Sequence, residues 1–280
     1  MNNLLWSIRR ELWENRSVYL APLTVGGFVL FGFFIGLGLL PSHVRAATPE
    51  RIHQVVESPY VIGAIILMVT ELVVAIFYSI DALYGERRDR SVLFWKSMPV
   101  SDLTAVVAKA IVPILILPLI TWAITVATEG IMLGLSRVVL AANGLDPSLV
   151  SSHMSFFGIA WYNFGHLVAF HGLWYAPLYA WLLLVSAWAT RVPFLWALLP
   201  PVGLIVIERV AFNTRLVATL LQDAFLGGPE PSGGGLGAMT MEGMMPGSDF
   251  LIRPGLWIGL AVTAALLFGA ARLRRSRGVI

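Results

Sequence analysis

The sequence predicts an all-α membrane protein with six transmembrane helices, an N-terminal interfacial amphipathic helix and a short cytoplasmic helix. Composition predicts the class: hydrophobic residues make up 58% of the 280 residues and charged residues only 12%, about half the charged fraction of soluble chains. The mean hydropathy is +0.79. Several apolar runs are also long enough to cross a hydrocarbon layer about 30 Å thick. We therefore expect one transmembrane domain over residues 1–280 and no soluble domain.

The first segment, residues 2–15, predicts an amphipathic helix lying in the membrane interface. Ile8 and Leu12 share one arc of a helical wheel and polar residues occupy the opposite arc. Trp6 and Trp13 lie beside the apolar arc, and Trp favours the headgroup region.

Six apolar runs follow, and prolines mark two of them. We expect spans at about residues 18–40, 60–84, 105–133, 167–189, 192–210 and 255–271. Pro113 and Pro118 predict a kink in the third span, and Pro200 with Pro201 a kink in the fifth. The spans leave a charged loop at 85–102 and an external loop at 211–254.

The distribution of basic residues predicts the orientation. With the N-terminus inside, about two-thirds of the 19 Lys and Arg residues fall on the cytoplasmic side. Both termini are therefore expected to be cytoplasmic.

The charged loop has a readable local pattern. Its charges are too costly to place in hydrocarbon, so the chain should return to water here: Glu86, Arg87, Arg88, Asp89 and Arg90. Ser91 can cap a short helix with an apolar side that contains Leu93, Phe94 and Trp95, and Pro99 ends it. A small helix should therefore lie across the mouth of two spans.

This loop resembles the first intracellular loop of permease subunits of type-2 ABC exporters. The resemblance rests on the order Glu86-Arg87, Ser91-Val92-Leu93, Pro99-Val100-Ser101 and Lys109. Two positions depart from the family pattern: Arg90 stands where Gly is common, and Leu93-Phe94 replace an acidic-basic pair. The resemblance implies a coupling helix that docks on an ATPase subunit, with contacts at Glu86, Arg87, Arg88, Asp89, Leu93, Phe94, Trp95 and Pro99.

The resemblance also implies the function and the partners. It predicts a membrane-spanning permease subunit of an ATP-driven exporter in a bacterial-type inner membrane, paired with a second copy or a close paralogue. The chain has no Gly-x-x-x-x-Gly-Lys-Ser/Thr phosphate loop, so ATP and Mg²⁺ are expected on the partner ATPase and no cofactor on this chain. Membrane lipids are the other expected partner. No nucleic acid and no enzymatic activity of the chain itself are expected.

Glu71 is the most informative single residue. Counted from Tyr60 at 1.5 Å per residue, it lies about 16 Å into the second span, near the bilayer centre. A charged carboxyl there costs about 2.5–3.5 kcal/mol, so it must face protein or water or be protonated. In the resembled family the second and fifth spans line the dimer interface and substrate path, which implies that Glu71 and Tyr78 line a translocation path. A buried carboxyl with a structural role is an equal alternative.

Two other classes of function stay open on the residues alone. One is an intramembrane enzyme that uses Glu71 or the external His residues, against which stands the lack of a second polar group at matching depth in the other spans. The other is a non-transporting membrane assembly factor, which would not need a central carboxyl.

Metal sites have little support in the sequence. His166 and His171 are five residues apart, a spacing that puts their rings on different faces of an α-helix. Four Met residues lie between 239 and 245, where thioethers can bind Cu(I), but the surrounding Gly and Pro favour a loop without a packed core. Glu129 and Glu208 are expected to be ordinary residues near span ends.

The predicted orientation can be tested by thiol labelling because the chain has no Cys. A Cys introduced at position 89 should react with an impermeant reagent only after the cells are opened. Cys at positions 49, 148 and 234 should react in intact cells. Labelling of position 89 in intact cells would contradict the orientation.

Overall fold

Helices form every regular element that the computed structural model describes, namely those within residues 3–48, 51–91, 100–153, 155–216, 218–219 and 248–276. The α-helices are α1 (Asn3–Glu14), α2 (Ser17–Leu37), α3 (Leu40–Ala46), α4 (Ile52–Asp81), α5 (Tyr84–Arg88), α6 (Asp102–Ile111), α7 (Leu117–Ala142), α8 (Ser148–His153), α9 (Phe156–Phe164), α10 (Ala176–Trp188), α11 (Pro193–Ile207) and α12 (Pro254–Ser276). Three π-helical segments, Val112–Ile116, Gly165–Trp174 and Glu208–Phe212, follow α6, α9 and α11, and a 3₁₀ turn covers Ser248–Ile252. The all-α class is confirmed.

Five helices are long and apolar enough to cross a membrane, and a bent pair raises the number to as many as six. The five are residues 17–37, 54–88, 102–142, 193–212 and 254–276 of the described chain. The pair consists of Phe156–Trp174 and Ala176–Trp188, which meet at an angle of 44°. If the bent pair is one span, the number agrees with the six predicted spans.

The third span is longer than predicted and runs through both of its prolines. Helix continues from Asp102 to Ala142, about 60 Å at 1.5 Å per residue, so its ends extend beyond the hydrocarbon layer. A π-helical turn at Val112–Ile116 contains Pro113, and Pro118 is buried in the first turn of α7. The extra residue of a π-helical turn accommodates the missing amide hydrogen bond.

The fourth span begins about ten residues earlier than predicted. It starts at Phe156 as α9, continues as the π-helical segment Gly165–Trp174, and bends before α10. Pro177 lies in the first turn of α10, a position where the missing amide is tolerated. The region around His166 and His171 is therefore inside a helix rather than at its external edge. We call Phe156–Trp188 the bent helix.

The two larger of four apolar cores hold most of the described helices together. The core near the N-terminus joins α2, α4, α6, α10 and α12, and includes Val18, Ala75, Tyr78, Val106, Leu183 and Ala270. The core at the other end joins α2, α3, α4, α7, α8 and α9, and includes Leu37, Val44, Tyr60, Met132, Val150 and Ile159.

The contacts show which segments share an end of the bundle. At the N-terminal end, α1 meets α6, and the last turn of α12 meets α5 and α6. At the opposite end, Arg45 donates a hydrogen bond to the carbonyl of Asn143 at 2.7 Å. The side of the membrane that each end faces stays a prediction.

Close backbone packing at Gly172 joins two π-helical segments. A Cβ atom at this position would overlap the carbonyl oxygen of Ile114, which belongs to Val112–Ile116. Only Gly lets the bent helix approach the third span this closely.

Gly172→Ala should therefore lower the unfolding temperature of the purified protein, because the Ile114 carbonyl is backbone and cannot rotate away. Gly134→Ala in α7 is the matched control, since its new Cβ would have no atom within 4 Å. The control should keep or raise stability, because Ala is favoured over Gly in helices by up to about 1 kcal/mol. Equal melting of the two variants would contradict the contact.

Candidate functional site

A buried group of charged residues lies at the N-terminal end of the bundle. Lys109 is at its centre: its Nζ lies 2.9 Å from both carboxylate oxygens of Glu11 and 3.1 Å from Oε1 of Glu86. Arg10 lies 3.2 Å from Glu86 and contacts Glu11, and Arg274 lies 3.2 Å from the other oxygen of Glu86. Lys109 is only 2% exposed and Glu11 only 1%.

Asp102 completes this group, because its carboxylate lies 2.5 Å from Nη1 of Arg274. We call the six residues the ion-pair cluster: Arg10, Glu11, Glu86, Asp102, Lys109 and Arg274. It contains three carboxylates and three cations, and Glu14, which is 43% exposed, lies 3.7 Å from Arg10 at the edge of the cluster. Pairing matters because an unpaired ion in an apolar interior costs several kcal/mol.

The polar stripe of α1 carries Glu11 into the cluster. The buried residues of this helix are Ser7 and Glu11, while Leu5 and Trp13 are about two-thirds exposed. The helix therefore docks on the bundle through its polar side and leaves part of its apolar side uncovered. Its position in the membrane interface stays a prediction.

Charge also sets the ionisation of Arg10, which lies outside the spans. Burial alone would lower the pKa of this guanidinium, but the neighbouring Glu11 and Glu86 carboxylates raise it above its ordinary value. Arg10 thus stays charged in the cluster.

The cluster closes the base of the charged loop. Glu86 lies at the start of the loop and Lys109 follows its end, and their contact joins α5 directly to α6. Arg274 adds a second bridge, because it binds both Glu86 and Asp102. The residues on either side of 89–101 are therefore both fixed to the ion-pair cluster.

Arg87 and Ser186 tie the same end of the bundle to α10. Arg87 Nη2 donates to the carbonyls of Ser186 and Ala189 at 2.7 and 2.6 Å, which satisfies carbonyls at the end of α10. In return, Ser186 Oγ accepts from the amides of Leu83 and Tyr84, at the start of α5. The two helix ends cap each other.

The predicted docking residues fall into three groups. Glu86 and Arg87 are buried inside the protein, in contrast to the expectation that the chain returns to water there. Arg88 and Asp89 are exposed and pair with each other at 3.0 Å. Leu93, Phe94, Trp95 and Pro99 lie outside the described residues, as does the Met group at 239–245.

Tyr78, which the resemblance places on a translocation path, lies beside the ion-pair cluster. Its hydroxyl donates to Glu11 at 3.1 Å, and its ring belongs to the core at the N-terminal end. Ala75 and Ala82 on the same face of α4 are buried in that core too.

A second polar site lies in the middle of the bundle, where Glu71 meets His171. Oε2 of Glu71 and Nδ1 of His171 are joined by a short hydrogen bond. Glu71 is 0% exposed and His171 is 7% exposed. A second polar group therefore does exist at the depth of Glu71, and the sequence argument that none does is wrong.

The π-helical segment Gly165–Trp174 explains why the sequence did not reveal this pair. In an α-helix His166 and His171 would face different ways, but a π-helix bonds residue i to residue i+5. The two rings here lie 5.5 Å apart, centroid to centroid, and Tyr175 lies 5.5 Å from His171. The expectation that the two histidines diverge is therefore also wrong.

Two further carboxylates of the spans, Glu129 and Glu208, are also buried inside the protein. Glu129 is buried and accepts from Asn163 at 2.8 Å, so it is not an ordinary interface residue. Glu208 is buried as well and accepts from the Thr214 hydroxyl at 2.8 Å. Among the described residues, no group of three or more His, Asp or Glu side chains could hold a metal ion.

Comparison with known proteins identifies no relative. No family model, no curated protein and no solved structure matches this chain.

Lys109→Met should lower the free energy of unfolding by about 3–5 kcal/mol, because it removes the most buried cation that binds Glu11 and Glu86 and leaves Arg10 as the only cation that contacts both among the described residues. Arg88→Met is the control, because it removes an exposed cation near the start of the charged loop. Exposed ion pairs contribute little to stability, so the unfolding midpoint should not change. Thermal unfolding in detergent compares the two. A Lys109→Met protein as stable as the unaltered chain would contradict the buried cluster.

Proposed function

We propose that this chain is the membrane-spanning permease subunit of an ATP-driven exporter of the type-2 ABC kind. In this proposal the N-terminal end of the bundle faces the cytoplasm of a bacterial-type cell. Residues 92–99 dock on a separate ATPase that carries ATP and Mg²⁺, and two permease copies or close paralogues pair in the membrane.

One observation carries the proposal: the charged loop is closed at its base by the ion-pair cluster. Movement of an ATPase can be transmitted through the loop to the spans only if both ends of the loop are fixed to the spans. Glu86 at one end binds Lys109 beyond the other, and Arg274 brings in the last turn of α12. Movement of the loop would therefore act on α1, α5, α6 and α12 together.

The backbone conformation of Arg90 supports the resemblance, although Arg90 is itself one of the positions where the sequence differs from the family pattern. Arg90 has φ 59°, in the left-handed region that favours Gly. A Gly is common here in the resembled family, so the backbone has the shape that a Gly would adopt. Arg accepts this conformation at a cost of about 1–2 kcal/mol.

The exposure of α11 fits a second permease copy. The apolar residues of this helix are mostly uncovered: Leu195, Leu198, Leu199, Val202, Leu204, Val206 and Ile207 are each about half exposed or more. In the resembled family the second and fifth spans line the dimer interface and substrate path, and α11 is the fifth span here if the bent pair counts as one. Lipid or a second copy must cover such a surface.

The contact between Glu71 and His171 favours a second candidate, an intramembrane acid–base enzyme. A carboxylate and an imidazole in contact can share proton transfer during catalysis. Because both side chains are nearly fully buried, a substrate would reach them only if the bent helix moved. Such an enzyme needs no ATPase, so stable ATPase co-purification separates the two candidates.

Phe94→Ala with Trp95→Ala should leave a folded permease that no longer retains its ATPase in detergent pull-downs. Loss of one buried aromatic anchor typically costs 2 kcal/mol or more, about thirtyfold in affinity. Phe157→Ala with Trp161→Ala is the matched control: the same residue types are exposed on α9, away from the charged loop.

The control should retain the ATPase at the level of the unaltered chain, and folded permease is quantified beside the ATPase in each sample. Full retention of an active ATPase by the Phe94 and Trp95 variant would contradict docking through this loop. Absence of any ATPase from the unaltered complex would contradict the exporter itself.

A further inference from the structure

The hydrogen bond between Glu71 and His171 requires a proton on at least one of the two bonded atoms. Glu71 Oε2 and His171 Nδ1 are hydrogen-bonded, and two lone pairs cannot form such a bond. A carboxylate with a neutral imidazole satisfies the bond but leaves a net negative charge. One further proton makes the pair neutral overall, whether it lies on the carboxyl or on the ring.

The surroundings favour the neutral pair. Glu71 is fully buried, between the apolar residues Met68 and Ala75 one turn away on α4. A net charge at this position has no solvent to stabilise it, and isolated charges inside membrane bundles are costly.

Among the described residues, no Lys or Arg lies within ion-pair distance of the Glu71 carboxylate. The titratable side chains that face the pair are His166, Tyr175 and Tyr179, all on the bent helix. The packed segment Val112–Ile116 contains none. Within the described part of the chain, His171 is the only basic group within ion-pair distance of Glu71. A second proton on the pair is therefore the way to neutralise its net negative charge.

Two buried polar atoms at this site are still free to take part in proton exchange. Glu71 Oε1 and the Tyr179 hydroxyl are shielded from solvent and have no hydrogen-bond partner among the described residues. Buried polar atoms are nearly always bonded, so these two are exceptions that need a reason. A water molecule that enters when the bent helix moves could bind Glu71 Oε1 and carry a proton to the pair.

We propose that the Glu71–His171 pair is an exchangeable proton-binding site in the interior of the bundle. Loading breaks one O–H bond of a hydronium ion and forms one N–H or O–H bond on the pair, and no other bond changes. The loaded pair is neutral and holds the bent helix against α4. Release leaves one negative charge beside the 44° bend. The proposal does not depend on an ATPase or on the transported substrate.

Infrared difference spectra of the full chain in lipid nanodiscs, recorded between acidic and alkaline pH, test this proposal. The unaltered protein should show a pH-dependent carboxyl and imidazole signal with one shared midpoint, because coupled groups titrate as a unit. Glu71→Gln and His171→Gln should each remove both the carboxyl and the imidazole components that share this midpoint. Glu129→Gln removes another buried carboxyl of the bundle and should preserve it.

A measurement without substitutions covers the case in which a variant does not fold. Nuclear magnetic resonance of the unaltered chain with labelled His and Glu side chains should show one of the five His residues titrating together with one Glu. Persistence of the components with the shared midpoint in both Glu71→Gln and His171→Gln would overturn the proposal. Absence of any jointly titrating His and Glu in the unaltered chain would overturn it too.

Discussion

The burial of charge at one end of the bundle constrains the rest of the fold. Lipid chains are as apolar as the spans, so apolar contact alone does not set how helices slide along one another. The ion pairs of Lys109 with Glu11 and Glu86 do fix the relative position of the helices. Burying any one of these ions without the others would destabilise the fold by several kcal/mol. Four separate helices, α1, α5, α6 and α12, must meet in one register for the three carboxylates to match the three cations.

Helix α10 connects the ion-pair cluster to the Glu71–His171 pair. Helix α10 ends at carbonyls that Arg87 binds, next to the ion-pair cluster, and it begins just after the π-helical segment that carries His171. One rigid helix of 13 residues therefore lies between the charged loop and the Glu71–His171 pair. The 44° bend at the start of α10 is the place where a shift of that helix changes the contact with α4. The coupling at the loop and the proton binding in the interior that we propose would both act through this helix.

Local chemistry made the class and the approximate spans predictable. Ser101 caps α6, since its side chain accepts from the Thr104 amide at 3.1 Å. The buried pairs were not predictable, because their partners are remote in sequence: 98 residues separate Glu11 from Lys109, and 188 separate Glu86 from Arg274. The Glu71–His171 contact needed a further piece of information, since an α-helical wheel cannot anticipate a π-helical segment.

A double-mutant cycle at the base of the charged loop tests the central claim most directly. Unfolding free energies would be measured for Glu86→Gln, Lys109→Gln and the double variant in the same detergent. If the buried ion pair fixes the loop to the spans, each single variant is strongly destabilised. The double variant is then less destabilised than the sum, with a coupling energy of about 0.5–3 kcal/mol. Additive effects, or single variants as stable as the unaltered chain, would contradict the claim.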